Sequence, residues 1–251
     1  MKKALDQINL IDGDTLLLDK PLGWTSFALV HQIKKWTKAK TGHAGTLDPL
    51  ASGLMILCTG KQTKSLTGLT GLQKEYTGII ELGATTPTYD LESEPQDFKP
   101  TSGIDNTLIE ETIRQFTGDI LQKPPVHAAI KQDGKPIYLA ARKGETVELV
   151  AKPKTVFYFD IEQRIDDELH FRIACSSGTY IRSLAHDLGQ TLGCGAYLKA
   201  LRRTKIGDFR IEDSYTVDEM ADFFGSRIQA RIIKPYHERI EPSIDQNQLK
   251  K

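Results

Sequence analysis

The sequence has few cysteines and no long apolar run. Cys58, Cys175 and Cys194 are far apart and form no C-x-x-C pair, so we predict reduced thiols and no zinc site. No apolar run approaches the roughly 20 residues needed to cross a bilayer, and the basic start lacks the apolar core of a secretory signal. These absences predict a cytoplasmic protein with no membrane segment.

A net charge is also missing, because 33 Lys and Arg balance 33 Asp and Glu. The distribution is uneven, since Asp48 is the only acidic residue between Lys20 and Lys64 and the stretch KALRRTK at 199–205 is basic. If the two basic stretches converge in the fold, they form a face that binds a polyanion. The alternative is two separate solvated surfaces, which charge alone favours.

Short apolar segments mix with amphipathic helices without strict alternation, which favours the α+β class. Strands are predicted in DTLLLDK, GLMILCTG, YTGIIEL, TVFYFDIEQR and ELHFRIACSS. Helix starts are predicted at Thr25 or Ser26, at a capping box of Thr107 and Glu110, before TYIRSLAHDL, and at Thr216 with Glu219. A Pro-Pro break and a QDGK turn, both after residue 120, mark an excursion from the main body.

One carboxylate lies in an unusual loop. In GHAGTLDPLASG, at 42–53, Asp48 directly precedes Pro49. The proline disfavours the helical region for Asp48 and keeps it extended, while the glycines permit tight turns or the close approach of another backbone. A carboxylate held in this way suits nucleophilic catalysis. A purely structural Asp-Pro turn is the alternative, which the local pattern alone favours.

A second candidate is SSGTYIR, a small-residue turn that opens a helix and leaves backbone N–H groups that attract anions. Arg182 in the first turn would keep a nearby carboxylate ionised and hold it bidentately. A surface arginine on an ordinary amphipathic helix fits the spacing equally well.

Other catalytic motifs are missing. Walker, Rossmann, H-E-x-x-H and G-x-S-x-G motifs are absent, and the six histidines show no ligand spacing. His43 stands out because it shares the loop with Asp48.

Five motifs occur in order from about Asp14 to Phe209. They are DKPLGWTS, GHAGTLDPLASGLMILCTGKQTK, KEYTGIIELG, PPVHAAIK with DGKPIYLAARKG, and CSSGTYIRSLAHDLGQTLGCGAYLKALRRTKIGDF. Together they resemble the TruB family of bacterial tRNA pseudouridine-55 synthases. The resemblance implies the pseudouridine-synthase fold: one catalytic domain over 1–251, a central mixed or antiparallel sheet with flanking helices, and a thumb-like insertion at about 120–145.

The resemblance also implies a function. The family isomerises uridine 55 in the T loop of tRNA to pseudouridine, without a metal or any other cofactor. Members act as monomers, and their partner is the T arm of tRNA.

Individual residues receive roles by matching the family motifs. The resemblance implies that Asp48 is the nucleophile, that Tyr76 stacks on the target base and is a candidate acid or base, and that Arg182 pairs with Asp48. His43, Tyr180 and Leu201 are expected to line the site. The residues expected to contact RNA are Lys20, Lys61, Lys64, Lys131, Arg202 and Arg203.

The sequence departs from the family in two places. Many bacterial members continue into a PUA domain that contacts the acceptor end of tRNA. Here about forty residues follow IGDF, so 210–251 is predicted to be a short extension without a full PUA domain. In the thumb, His127 and Ala128 stand where the family usually has tyrosine or phenylalanine followed by serine, and we expect the fine contacts to differ.

Two other functions remain open. In the first, the protein binds tRNA or assists its folding, and catalysis is secondary. In the second, it is a hydrolase of small molecules with an aspartate nucleophile. That hydrolase would need a metal or a second carboxylate near Asp48, and the flanking sequence supplies neither.

Overall fold

A computed structural model describes residues 2, 4–125, 131–132, 135–136 and 149–225. The chain divides into two compact units, the first formed by Met1–Leu66 with Ser214–Lys251 and the second by Thr67–Asp213. The predicted α+β class is confirmed, because both units combine helices with antiparallel strands. Among the described residues, no helix is long and apolar enough to cross a membrane.

The helices are α1 (Ser26–Thr37), α2 (Leu66–Gly71), α3 (Asn106–Arg114), α4 (Ile181–Leu192) and α5 (Val217–Gly225). The strands are β1 (Thr15–Lys20), β2 (Thr41–His43), β3 (Ala51–Thr59), β4 (Lys74–Leu82), β5 (Gly118–Gln122), β6 (Lys131–Gln132), β7 (Lys135–Pro136), β8 (Lys152–Ile165), β9 (Glu168–Cys175), β10 (Ala196–Ile206) and β11 (Phe209–Arg210). The five predicted apolar segments correspond to β1, β3, β4, β8 and β9.

In the first unit, β3 pairs antiparallel with β1 and with β2. Strand β3 is buried along almost its whole length, as expected for a continuous apolar run. Helix α1 begins where predicted, because the Thr25 side chain accepts a hydrogen bond from the Ala28 N–H. These elements place the loop between β2 and β3, which contains Asp48, beside the start of α1.

In the second unit, five strands follow the order β10-β4-β9-β8-β5, and β11 pairs antiparallel with the end of β10. Buried residues of β9, including Leu169, Phe171 and Ile173, form part of the core. Helix α4 packs against β10. Gly189 permits this close approach, since a Cβ there would collide with the backbone at Gly195 and Ala196.

Two helix starts were predicted from pairs of threonine and glutamate. At α5 the predicted late helix is confirmed, and a capping box starts it: Thr216 N–H donates to the Glu219 carboxylate (2.7 Å), and Glu219 N–H donates to Thr216 Oγ1 (3.1 Å). At α3 the prediction is wrong, because Asp105 is the cap and accepts from the Leu108 N–H at 2.8 Å. Asp105, two residues before Thr107, is a stronger N-cap than threonine.

Part of the predicted architecture lies outside the described residues. This holds for His127, Ala128, most of the thumb-like insertion and residues 226–251. In the excursion, β6 and β7 pair antiparallel, as expected for the strands on either side of the predicted QDGK turn. The single catalytic domain over 1–251 stays a prediction.

Candidate active site

The Asp48 loop lies between β2 and β3 and has a fixed backbone. Asp48 is half-buried, and its carbonyl accepts from the Ala51 N–H at 3.1 Å, which closes a turn with Pro49 in second position. Gly45 has φ +92°, a conformation that residues with a Cβ rarely adopt. The Ala44 N–H donates to the Ile56 carbonyl at 2.9 Å and ties the loop to β3.

Ser26, the first residue of α1, holds the residue before Asp48. Its hydroxyl donates to the Leu47 carbonyl at 2.8 Å and accepts from the Leu47 N–H at 2.8 Å. Ser26 and Leu47 are both buried, so neither backbone group of Leu47 depends on water. This double contact fixes the direction in which the chain enters Asp48.

Lys20 holds the loop from the other side. It is fully buried, and its ammonium donates to the carbonyls of Trp24 (2.7 Å) and Pro21 (3.0 Å) and lies 3.5 Å from that of Pro49. A buried ammonium with these carbonyl acceptors stabilises the loop and supports the backbone next to Asp48. The predicted contact of Lys20 with RNA stays a prediction.

The other predicted RNA contacts differ in exposure. Lys61 and Lys64 are exposed in the short helical segment after β3 and Arg202 is half-buried on β10. Arg203 is only 1% exposed, and its predicted contact with RNA stays a prediction. The side chain of Lys131 lies outside the described residues.

In the second unit, Tyr76 lies on β4 between two neighbouring strands. It is opposite Arg203 on β10 and Ile173 on β9, and it is 8% exposed. Leu201 lies opposite Gly78, two residues further along β4. Since residues two apart on a strand share a face, the sheet places Tyr76 and Leu201 in one neighbourhood.

Lys74 anchors the start of the strand that carries Tyr76. Its ammonium donates to the carbonyls of Thr70 (2.6 Å) and Leu72 (2.5 Å) at the end of α2. Burial, with a smaller effect of the Arg203 charge, lowers the pKa of Lys74 to about 8. The ammonium thus holds the start of β4 against the end of α2, and this contact helps to fix the strand position of Tyr76.

Arg182 lies in the first turn of α4 and is buried together with an aspartate that sequence analysis missed. Its Nη1 donates to the Thr88 carbonyl at 3.1 Å, and its Nε lies 3.6 Å from Oδ2 of Asp90. Asp90 and Arg182 are 4% and 5% exposed. The other oxygen of Asp90 accepts from the Glu92 N–H at 3.0 Å. The guanidinium is held in one orientation by these acceptors.

Tyr180, at the start of α4, is clamped through its backbone. The Gln122 side-chain amide donates to the Tyr180 carbonyl at 2.9 Å and accepts from the Tyr180 N–H at 2.8 Å. This substitutes for a side-chain cap, which α4 lacks. Gln122 therefore fixes the turn that presents Arg182.

Asp48 and His43 lie in the first unit, and Tyr76, Tyr180, Arg182 and Leu201 lie in the second. The pairing of Asp48 with Arg182 stays a prediction. Among the described residues, no cluster of three or more His, Cys, Asp or Glu side chains is placed to hold a metal ion. Chemically, the two units supply one fixed carboxylate, one buried guanidinium and one aromatic ring on a rigid strand.

Comparison with known proteins gives two family matches. Residues 33–181 match the N-terminal domain of TruB family pseudouridylate synthases, and residues 182–239 match the C-terminal domain of tRNA pseudouridylate synthase B. Among curated proteins, the tRNA pseudouridine synthase B of Flavobacterium johnsoniae is 48% identical, over 82% of this chain and 94% of its own length. That of Chloroherpeton thalassium is 47% identical, over 87% and 94%.

Among solved structures, a chain in a Cbf5-Nop10-Gar1 complex is similar with a TM-score of 0.67 and 29% identity. A chain in an H/ACA RNP bound to a substrate RNA containing 2′-deoxyuridine gives 0.65 and 26%. The matches cover 90% and 91% of this chain but 58% of each longer chain. These similarities confirm the predicted pseudouridine-synthase fold.

Proposed function

The chain belongs to the TruB family of pseudouridylate synthases, and from this premise we propose that it isomerises uridine 55 in the T loop of tRNA to pseudouridine. Family membership makes it an isomerase that acts on tRNA. The observation that carries the finer proposal is the fixed backbone around Asp48, held by Ser26 and Lys20. A carboxylate on such a support is preorganised for nucleophilic attack.

The proposed reaction needs no external atom or electron. The bond from C1′ of the ribose to N1 of the uracil breaks, and a bond from C1′ to C5 forms. C5 loses its proton, and N1 gains one. Asp48 acts as the nucleophile at the sugar or the base, or as the base in an elimination across the sugar; the isomerisation balances by any of these routes. The protein has to hold the detached uracil and exclude water.

The remaining site residues have supporting roles in this proposal. Arg182 pairs with Asp48, while Asp90 and Thr88 keep the guanidinium oriented. Tyr76 stacks on the target uracil, which offsets part of the few kcal/mol that flipping a base out of its stack costs. His43, Tyr180 and Leu201 line the space for the nucleoside.

Phosphate contacts are assigned to Lys61, Lys64, Arg202 and Lys131, and the partner is the T arm of tRNA bound by a monomer. The exposure of Lys61 and Lys64 supports this assignment. Such contacts release counterions, so binding is expected to weaken as salt rises.

Two lysine variants separate support of the loop from RNA binding. Lys61→Met is expected to reduce the slope of log Kd against log salt by about 1, with unchanged stability. Lys20→Met is expected to leave the slope unchanged and to lower the unfolding free energy by about 1–3 kcal/mol, because buried carbonyls lose their donor. tRNA titrations at several salt concentrations and urea unfolding measure both. A reduced slope for Lys20→Met at wild-type stability would show that Lys20 contacts RNA and does not support the loop.

Tyr76→Phe separates stacking from any role of the hydroxyl. The ring on β4 is retained, so tRNA affinity is expected to stay within about twofold. If the hydroxyl transfers a proton, the single-turnover rate falls by roughly 10²-fold or more. Tyr197→Phe, on β10, is the matched control. An undiminished single-turnover rate for Tyr76→Phe would remove the acid or base role and leave stacking alone.

The proposed function itself is tested with tRNA transcripts tritiated at C5 of uridine. Since C5 loses its hydrogen when it forms the bond to C1′ of the ribose, isomerisation must release tritium into water. We expect release of one equivalent per tRNA, no release when residue 55 is cytidine, and release from an isolated T-arm hairpin. Undiminished release from the cytidine-55 transcript would contradict the assignment to position 55.

A further inference from the structure

Tyr89 lies between the two residues that hold Arg182. The Thr88 carbonyl accepts from Arg182 Nη1, and the Asp90 carboxylate lies beside Arg182 Nε. Tyr89 has φ +65°, in the left-handed region. A bulky side chain rarely adopts this conformation, and such strain persists only where the surroundings impose it.

The backbone of Tyr89 is held on both sides. Its N–H donates to the Thr86 carbonyl at 3.1 Å, and its carbonyl accepts from the Leu198 N–H of β10 at 2.9 Å. The left-handed residue turns the chain, so that the carbonyl before it and the carboxylate after it both reach Arg182.

The side chain of Tyr89 is held by a stack. Its ring lies on the imidazole of His186, with 3.8 Å between ring centroids and 13° between planes. His186 is four residues after Arg182 on α4, so the two side chains project from the same face of the helix. One helix face thus contacts the 88–90 turn twice, through the guanidinium and through the imidazole.

The imidazole is positioned by packing. Its Nδ1 is buried and has no hydrogen-bond partner within the described part of the chain. Burial lowers the pKa of His186, which favours the neutral ring. A neutral imidazole stacks on the phenol as one flat surface on another, and this contact fixes the separation between α4 and the turn.

We infer that the Tyr89–His186 stack is a positioning element of the active site, which holds the 88–90 turn so that Thr88 and Asp90 together orient Arg182. The inference rests on the proposed function through the role of Arg182. Neither ring touches the reacting atoms. Their effect passes through the guanidinium, whose displacement by about 1 Å is enough to lower turnover by roughly 10²-fold.

The test compares Tyr89→Asn with Tyr89→Phe. Asparagine tolerates the left-handed backbone but removes the ring, whereas phenylalanine keeps the ring. For Tyr89→Asn we expect kcat for tRNA isomerisation to fall at least tenfold with KM within twofold. For Tyr89→Phe we expect both constants within twofold of wild type. A tenfold loss in Tyr89→Phe would contradict the stack as the cause.

His186→Ala removes the stack from the other side and is expected to reproduce the loss of kcat, with His170→Ala on β9 as matched control. The double variant Tyr89→Asn/His186→Ala should be no slower than the worse single variant, because both changes break one contact. The thermal unfolding of each variant is measured beside its kinetics. If Tyr89→Asn does not fold, His186→Ala provides the test, and if His186→Ala does not fold, Tyr89→Asn provides it.

Wild type and Asp48→Asn are measured beside these variants. If wild type isomerises tRNA, Asp48→Asn does not, and folded Tyr89→Asn and His186→Ala keep full kcat, the positioning role is overturned and the proposed function stands. If wild type itself releases no tritium from tRNA, the proposed function fails.

Discussion

Replacing Asp48 by Asn is expected to abolish isomerisation and leave tRNA binding nearly intact. The amide has the shape of the carboxylate but is a poor nucleophile and a poor base. By comparison with other enzymes that lose a nucleophile, the single-turnover rate should fall by roughly 10⁴-fold or more. The loop should keep its conformation, because Ser26, Lys20 and the Asp48–Ala51 turn hold it through backbone atoms.

Rapid-quench measurement of pseudouridine, with filter binding of the same tRNA, tests this expectation. Asp160→Asn, at an exposed position on β8, is the matched control and should behave as wild type. If Asp48→Asn converts uridine at a normal rate, Asp48 is not the nucleophile. If Asp48→Asn rescues growth or tRNA folding without modifying tRNA, assistance with tRNA folding becomes the better description of the protein.

The second large effect is expected for Arg182→Lys. Lysine keeps the positive charge but lacks the planar array of donors that faces Thr88 and Asp90. The ammonium cannot satisfy both acceptors from one position, so the Thr88 carbonyl or the Asp90 carboxylate is left poorly paired in a buried site. We expect turnover to fall by roughly 10²-fold and the unfolding free energy to fall by about 1–3 kcal/mol.

Arg172→Lys is the matched control for Arg182→Lys. Arg172 lies on β9, is 46% exposed, and pairs with Glu162 at the surface at 3.2 Å, where an ion pair contributes little. Steady-state kinetics with tRNA and urea unfolding distinguish the two positions. Equal and small effects of both substitutions would show that the orientation of Arg182 does not matter to the reaction.

Part of the candidate site could be predicted from the sequence. Asp48 stands out because Pro49 and the surrounding glycines constrain it, and Arg182 because it follows a small-residue turn at the start of a helix. Asp90 carries no comparable signal, since it is one of several acidic residues in a polar loop. Its importance comes from burial beside Arg182, which is a tertiary contact.

The burial of Lys20 could not be predicted from the sequence. Lysine is rarely buried unless its ammonium has partners, so a lysine in a basic stretch is predicted to face solvent. For Lys20 the partners are main-chain carbonyls of Pro21 and Trp24, and carbonyls leave no trace in the pattern of side chains. Arg203 on β10 also belongs to a basic stretch and is buried.

Some strands of the fold could be predicted from the sequence and others could not. Strands such as β3 were predictable because their apolar runs are continuous. Strand β10 was not, because AYLKALRRTKI alternates poorly and carries four basic residues. It becomes a strand through pairing with β4, with register shifts between Leu198 and Ala200 and between Arg203 and Lys205 that break the period of two.

The central claim is that this protein converts uridine 55 of tRNA through Asp48, and site-resolved mass spectrometry tests it most directly. A pool of unmodified tRNA transcripts is incubated with purified wild type or Asp48→Asn, digested, and derivatised with a reagent specific for pseudouridine, because the two isomers have the same mass. We expect wild type to place pseudouridine at position 55 of the T loop and Asp48→Asn to leave uridine there. Position 55 left as uridine by active wild type, or converted equally by Asp48→Asn, would contradict the claim.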